Sequence, residues 1–432
     1  MRAPGPLRAP RRIARQDQKM PDPRPQPPGD ASRPEPVGDA TRPEPPGDAT
    51  RPEPAGDATR LLPLGDVTRL TPSAAVTAAD AAEAVKRSFG LTGDLDRLPG
   101  EADDNFALLA GDGQRYVVKV AHAQADPAVV GLQVRVLRHL ASAAPELPVP
   151  CVALAVDGQP LAVVAAGALQ GRLIHVLSYL DGRLLRSVPA SAPLRRAIGA
   201  TLASLGAALR DFATLRTDLA PSDAAPLADP LADRPLLWDI AQLPRLRPLV
   251  TELPPGPDAT LLDELIGRFT AEVAPRLAAQ RRQLVHNDFS PDNLLISADE
   301  SHVCGIIDFG DLTVTALVND VAVAAANLLG DGPDFLGPAT DLISGYHAVT
   351  PLTAGELDLL PELMLGRILA RLVISQWRAV RFPANRAYIL RNTSRAHEQL
   401  SHLSAIGVDE ITARVRDAGR PQDVSNPEER HA

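Results

Sequence analysis

Asp288, Asn293 and Asp308 lie in one short stretch, each at the edge of an apolar run. Leu284-Val285 leads into His286 and Asp288, while Asn293 opens Leu294-Leu295-Ile296. A polar turn over 297–302 follows, and Val303-Cys304-Gly305-Ile306-Ile307 then ends in Asp308. Two apolar runs across a polar turn predict a β-hairpin, with Asn293 at one strand's start and Asp308 at the other's end. Their side chains can then meet beside the loop that carries Asp288. One amide oxygen and two carboxylates suit a hard cation such as Mg²⁺, which takes the rest of its shell from water and phosphate oxygens. Asp288 could accept the proton of a hydroxyl that attacks the phosphate. The competing reading is a solvated acidic hairpin in some other α/β protein.

His286-Asn287-Asp288, with Asn293 five residues after Asp288, resembles the catalytic loop of the kinase superfamily. Asp308-Phe309-Gly310 resembles the metal-binding motif of the same superfamily. No Ala-Pro-Glu follows Gly310, and Asp308 comes only fifteen residues after Asn293, which leaves room for a hairpin and nothing more. This compact pattern is similar to the aminoglycoside phosphotransferase-like small-molecule kinases, and within them to the hydroxylysine kinase branch. The resemblance runs over roughly residues 73–405. It implies an α+β, bilobal, protein-kinase-like fold, with a small antiparallel-sheet N-lobe and a mostly helical C-lobe. It also implies γ-phosphoryl transfer from ATP or GTP to a hydroxyl of a small molecule, with a hydroxylated amino acid such as 5-hydroxylysine as acceptor. Asp288 would be the base or hydroxyl-orienting group, Asn293 and Asp308 the Mg²⁺ ligands, and His286 the residue that orients the loop. Aminoglycoside, choline or homoserine kinases of the same fold are the alternatives, as is a nucleotide-binding pseudokinase scaffold.

The elements that must position these groups lie upstream. Apolar residues on one stripe predict a helix over 74–89. A strand over 105–109, the turn Gly111-Asp112-Gly113 and a strand over 115–120 predict a hairpin. Lys119 stands on its second strand among Val117, Val118 and Val120. The resemblance makes Lys119 the lysine that grips the nucleotide phosphates. A helix over 127–140 follows, with Gln133 where the family places a glutamate that pairs with this lysine. Glutamine could orient Lys119 by a hydrogen bond but could not neutralise it. Strand patterns over 148–156 and 172–180 come next, and the second resembles the interlobe hinge, where the backbone of Ser178, Tyr179 and Leu180 would meet the purine.

Beyond the hinge the pattern turns helical: 191–215, then 261–280 after a loop-rich stretch over 216–258 in which Pro-Leu-Ala-Asp occurs twice. Trp238 in that stretch reads as a core residue. Asp320 opens a helix and could hold the catalytic loop's backbone. Thr353-Ala354-Gly355-Glu356 is a capping box that starts a helical hairpin over 356–381 and 385–403. That pair is rich in arginine, whereas family members acting on polycationic aminoglycosides need acidic helices there. Arginines suit an acceptor with a carboxylate, and Arg367 and Arg371, one turn apart, are the candidate ligands.

The 432 residues carry 44 basic and 53 acidic side chains, a net charge of −9 that argues against a nucleic-acid partner. No apolar run reaches membrane-spanning length, and Cys151 and Cys304 stand far apart, so a reduced, cytoplasmic chain is expected. Residues 1–72 are different material. An Arg- and Pro-rich start, similar to a transit peptide, precedes a nine-residue repeat of the form Gly-Asp-Ala-Thr-Arg-Pro-Glu-Pro-x. With almost nothing to bury, this extension should stay disordered, as a linker or else a tether for an unknown protein partner. The expected organisation is therefore the 1–72 extension, a nucleotide-binding N-lobe over 73–180, a C-lobe over 181–410 that holds the catalytic and acceptor sites, and a loosely ordered tail over 411–432.

Overall fold

The computed structural model describes residues 75–100, 103–215 and 236–420. The N-terminal repeats, the twin Pro-Leu-Ala-Asp segments and residues 421–432 lie outside these. The first helix, α1 (Ala78–Phe89), begins where the Thr77 hydroxyl accepts the Asp80 N–H at 3.1 Å and ends at Gly90 with φ 69°. Strands β1 (Gly93–Leu98), β2 (Asp104–Ala110), β3 (Arg115–Val120), β4 (Ala162–Val163) and β5 (Leu173–Ser178) form one antiparallel sheet in the order β1-β2-β3-β5-β4. Side chains alternate along β3, so Val118 and Val120 enter a core with Val85, Phe89, Phe106 and Ile174. Val117 and Lys119 face the other way, into a cavity. Helix α2 (Pro127–Ala143), capped by Asp126 with proline in its first turn, packs Leu132, Val136, Leu137 and Leu140 into the larger core of the second lobe.

The second lobe begins with β6 (Arg183–Leu184) and the long helix α3 (Ala192–Leu215). Further on, α4 (Pro257–Arg268) runs through one π-helical turn, Phe269–Val273, into Ala274–Ala278. Four short strands follow: β7 (Arg282–Val285), β8 (Leu294–Ile296), β9 (Val303–Ile306) and β10 (Thr313–Ala316). Helices α5 (Leu317–Asn327), α6 (Gly337–Val349), α7 (Ala354–Arg381), α8 (Thr393–Ile406) and α9 (Val408–Ala418) close the lobe. Helices α3 and α6 touch through glycine: a Cβ on Gly199 would stand 2.0 Å from the Leu342 carbonyl, and one on Gly345 2.0 Å from that of Arg196. Both halves of the Thr353–Glu356 capping box are made, and the buried Glu356 also takes Arg281 at 2.7 Å. The fold is the bilobal α+β arrangement expected from the sequence.

Several elements differ in detail. The strand expected over 148–156 reduces to a single bridge, Val152 to Leu177, because Pro148 and Pro150 cannot donate to a ladder. The loop-rich stretch contains helical turns over Ile240–Leu246 and Arg247–Val250, and α6 was not anticipated. The second arm of the C-terminal hairpin is broken into short turns over 383–392 before α8. Residues 411–418, expected in a loose tail, belong to α9, since Ile411 and Val415 fall one turn apart and bury together.

Candidate active site

The hairpin forms as its sequence pattern requires. Leu294 pairs with Ile306 and Leu295 with Gly305, and the Ile307 N–H donates to the Asn293 carbonyl at 2.9 Å. Asn293 and Asp308 therefore flank the same end of the ladder and line one cavity of about 840 Å³ with Asp288. The Asn293 amide nitrogen donates to Asp288 Oδ2 at 2.6 Å and to the Asp288 carbonyl at 3.0 Å. With its nitrogen so committed, the Asn293 oxygen remains the group able to face a cation. Among the described residues no cluster of three His, Cys, Asp or Glu could hold a metal by itself. The donor set of one amide oxygen and one carboxylate fits Mg²⁺, which binds to few protein oxygens and relies on phosphates and water for the rest.

The loop that carries Asp288 is held from below by α5. Asp320, nearly fully buried in its first turn, accepts the His286 N–H at 3.1 Å and the Asn287 N–H at 2.8 Å. Burial pushes the Asp320 carboxyl above its ordinary range, and these donors together with His286 draw it back. Asn287 sits at φ 65° and Asp308 at φ 61°, a left-handed conformation that costs energy for any residue except glycine. Two of the three such positions among the described residues are thus in the site. His286 accepts the Asp288 N–H at Nδ1 (3.3 Å) and packs edge-on against Phe309 at 4.9 Å. Burial raises the Asp288 carboxyl to about 7; Asp311 and Asp308 add to this, while Arg367 and Asn293 oppose it.

Arg367 on α7 donates to Asp288 Oδ1 at 3.2 Å and to the Trp238 carbonyl at 2.9 Å, and its guanidinium lies 5.5 Å from the Trp238 ring. Trp238 is half-buried: it packs against the core of the second lobe, as its reading as a core residue expected, and it also lines the cavity. The next residue, Asp239, is buried and accepts from Thr315 (3.1 Å) and Asn319 (3.0 Å), which ties this segment to α5. Arg371 lines the cavity one turn beyond Arg367 and makes no hydrogen bond or ion pair among the described residues. Burial, Arg367 and Arg395 lower its guanidinium to about 10, so it remains a cation at neutral pH.

The first lobe brings Lys119 over the hairpin. Its Nζ lies 3.6 Å from Asp308 Oδ1 and 3.8 Å from Asp103 Oδ2. Gln133 is buried in the same cavity, but its amide has no hydrogen-bond partner among the described residues, so the expected bond to Lys119 is not made. The hinge residues Ser178, Tyr179 and Leu180 also line the cavity. The Ser178 N–H donates to the Cys151 carbonyl at 2.8 Å and that of Tyr179 to the Arg115 carbonyl at 3.1 Å. The backbone expected to meet a purine through all three residues thus offers the Leu180 N–H, the one of the three not already committed.

The sequence pattern of the phosphotransferase enzyme family matches residues 94–356, more than half of the chain. The chain belongs to that family. Hydroxylysine kinase of Danio rerio is 24% identical over 345 residues, covering 78% of this chain and 94% of its own. Homoserine kinase of Acidiphilium cryptum (strain JF-5) is 29% identical over 300 residues, covering 68% of this chain and 80% of its own. Among solved structures, amicoumacin kinase in complex with AMP-PNP, Ca²⁺ and Ami aligns with a TM-score of 0.54 at 14% identity, covering 77% of this chain and 92% of that one. That likeness is one of fold. The phosphotransferase is a small-molecule kinase, in agreement with the reading of its catalytic hairpin.

Sequence reasoning missed two parts of this phosphotransferase site. Asp103 could have been found from the hairpin register, because Asn105 pairs with Lys119 and residue 103 shares its face. The Asp239–Thr315–Asn319 group had no local signal. A third buried group, His175, sits directly across from Lys119 on β5. Burial, then the Lys119 charge, lowers its pKa from 6.5 to about 3, so the folded protein keeps it neutral. Below pH 6.5 the unfolded chain takes up a proton that the fold refuses, and stability is lost as pH falls toward 3. Relative to His175→Leu, the wild-type protein is expected to lose about 1.4 kcal/mol per pH unit between about pH 5.5 and 4.5 in urea unfolding. Parallel pH profiles for the two proteins would contradict this.

Proposed function

We propose that this phosphotransferase moves the γ-phosphoryl of ATP or GTP to the hydroxyl of a small amino acid, with 5-hydroxylysine the first candidate and homoserine the second. The observation that carries the acceptor class is Arg371, a half-buried cation with no hydrogen bond or ion pair among the described residues, in the same cavity as Asp288. A carboxylate is the group such a guanidinium holds best, through paired charge-assisted hydrogen bonds. Arg367, read from sequence as a second carboxylate ligand, is committed to Asp288 and Trp238, so it adds positive field and holds the base. The relatives named hydroxylysine kinase and homoserine kinase support the same acceptor class.

Asp288 faces the acceptor hydroxyl and takes its proton as the acceptor oxygen bonds to the γ-phosphorus and the β–γ bridging oxygen leaves with the nucleoside diphosphate. Arg367 and Asn293 fix the two carboxylate oxygens of Asp288. Lys119 holds the donor phosphates, and the Leu180 N–H meets the purine. Asn293 and Asp308 would hold Mg²⁺, which would supply neutralisation of the charge on the donor phosphates. Aminoglycosides and choline carry positive charge and no carboxylate, so an arginine-lined acceptor side repels them and has nothing on them to hold. A pseudokinase role is opposed by the presence of Asp288, Asn293 and Asp308 together. A cytoplasmic setting fits the free thiols of Cys151 and Cys304 and the absence, among the described residues, of a helix long and apolar enough to cross a membrane.

Nucleotide consumption by the full chain with Mg²⁺, ATP and GTP in parallel, against 5-hydroxylysine, homoserine, choline and kanamycin, tests the reading. Arg371→Ala is expected to raise the acceptor KM by about tenfold to a hundredfold, the worth of charge-assisted hydrogen bonds, and to leave the nucleotide KM unchanged. The decarboxylated acceptor should be equally poor for wild-type and variant. Turnover of choline or kanamycin in preference to the amino acids would overturn the acceptor assignment.

A further inference from the structure

Lys119 lies between two carboxylates that have different duties. Asp308 is the candidate metal ligand, and a bound dication takes up its charge. Asp103 has no such second task. Its Oδ1 accepts the His122 N–H at 3.2 Å, just beyond the end of β3, and its Oδ2 is turned to Lys119 at 3.8 Å. Alternation along β2 separates it from its neighbour: Asp104 pairs with Arg97 at 2.9 Å and Arg172 at 3.5 Å, while Asp103 shares the face of Asn105, the residue opposite Lys119. Lys119 itself is only 9% exposed, and a long side chain so buried holds one direction only where a fixed partner meets its end. Helix α2 supplies none. Gln133 is the α2 side chain in this cavity expected to reach Lys119; it is uncharged and makes no hydrogen bond among the described residues. His175, the cross-strand neighbour, is held neutral.

We infer that Asp103 is the positioning residue that holds Lys119 aimed at the nucleotide phosphates, a task that α2 does not perform in this chain. The inference rests on the nucleotide reading proposed above. It makes the start of β2 part of the phosphate site, so nucleotide affinity depends on the loop that leads into it.

Equilibrium binding of ATP with Mg²⁺ to the full chain decides it without requiring an acceptor. Asp103→Asn, which keeps the shape and the acceptor for His122, is expected to weaken ATP by about tenfold, the value of one charge-assisted contact. Adding Gln133→Glu should return most of that affinity, because a carboxylate then faces Lys119 from α2. In a Lys119→Ala background, Asp103→Asn should cost nothing further, which a general effect on folding would not reproduce. Wild-type affinity in Asp103→Asn overturns the inference and leaves the kinase reading standing. A loss that persists without Lys119, or that Gln133→Glu fails to recover, also overturns it. A wild-type chain that binds no nucleotide overturns both.

Discussion

Asp288→Asn is expected to lower kcat by about 10²–10⁴-fold, the usual contribution of a positioned general base, with nucleotide affinity little changed. Asparagine keeps the shape of the side chain and can still meet Arg367 through its oxygen, but it cannot take a proton. The same variant should not lose stability. Burial and two neighbouring carboxylates already hold Asp288 well above its ordinary pKa, so the folded site disfavours its charge in spite of Arg367 and Asn293. A thermal midpoint equal to or above that of the wild-type protein, measured at about pH 8 where the wild-type carboxylate is ionised, would separate lost chemistry from lost structure. If Asp288→Asn retained more than about a tenth of wild-type kcat, the assignment of Asp288 as base would fail.

Asp320→Ala is expected to damage both stability and turnover. Its carboxylate is the acceptor for two buried N–H groups, those of His286 and Asn287. Each donor left unsatisfied costs about 1–3 kcal/mol, so the total loss in urea unfolding should be several kcal/mol. The loop it releases is already strained, since Asn287 is held at φ 65°. Once free, that residue can relax toward negative φ and carry Asp288 away from the reacting phosphate. A displacement of about 1 Å is enough to cost about a hundredfold in rate. Asp320→Asn, which can satisfy one N–H but presents an NH₂ to the other, should fall between alanine and wild-type on both scales. A wild-type midpoint for Asp320→Ala would mean that the loop is held elsewhere.

The hairpin with Asn293 and Asp308 could be read from the sequence because its register is local. Two apolar runs joined by a short polar turn have few other ways to pair, and the register then places both oxygen donors at one end. The same holds for the face of Lys119, which alternation along β3 dictates, and for the cap of α7, where Thr353 and Glu356 satisfy each other. The arginines of α7 were legible as a group but not by role. Helical periodicity places Arg367 and Arg371 on one face, yet it does not say that one meets Asp288 and Trp238 while the other is left to the cavity. Gln133 shows the opposite limit: its position was expected from the family pattern, but the bond to Lys119 is absent.

By itself, then, the sequence determined the hairpin with Asn293 and Asp308 and the strand that bears Lys119, because short-range register, alternation and capping depend on neighbours in the chain; the bilobal class was legible only through the family resemblance. Tertiary structure decided which arginine holds Asp288, and how Asp239, Thr315 and Asn319 lock the Trp238 segment to the helix that also carries Asp320. These contacts join residues separated by many elements. Their partners are fixed by how helices and sheet are rotated and packed against one another, information that periodicity along a single element does not contain.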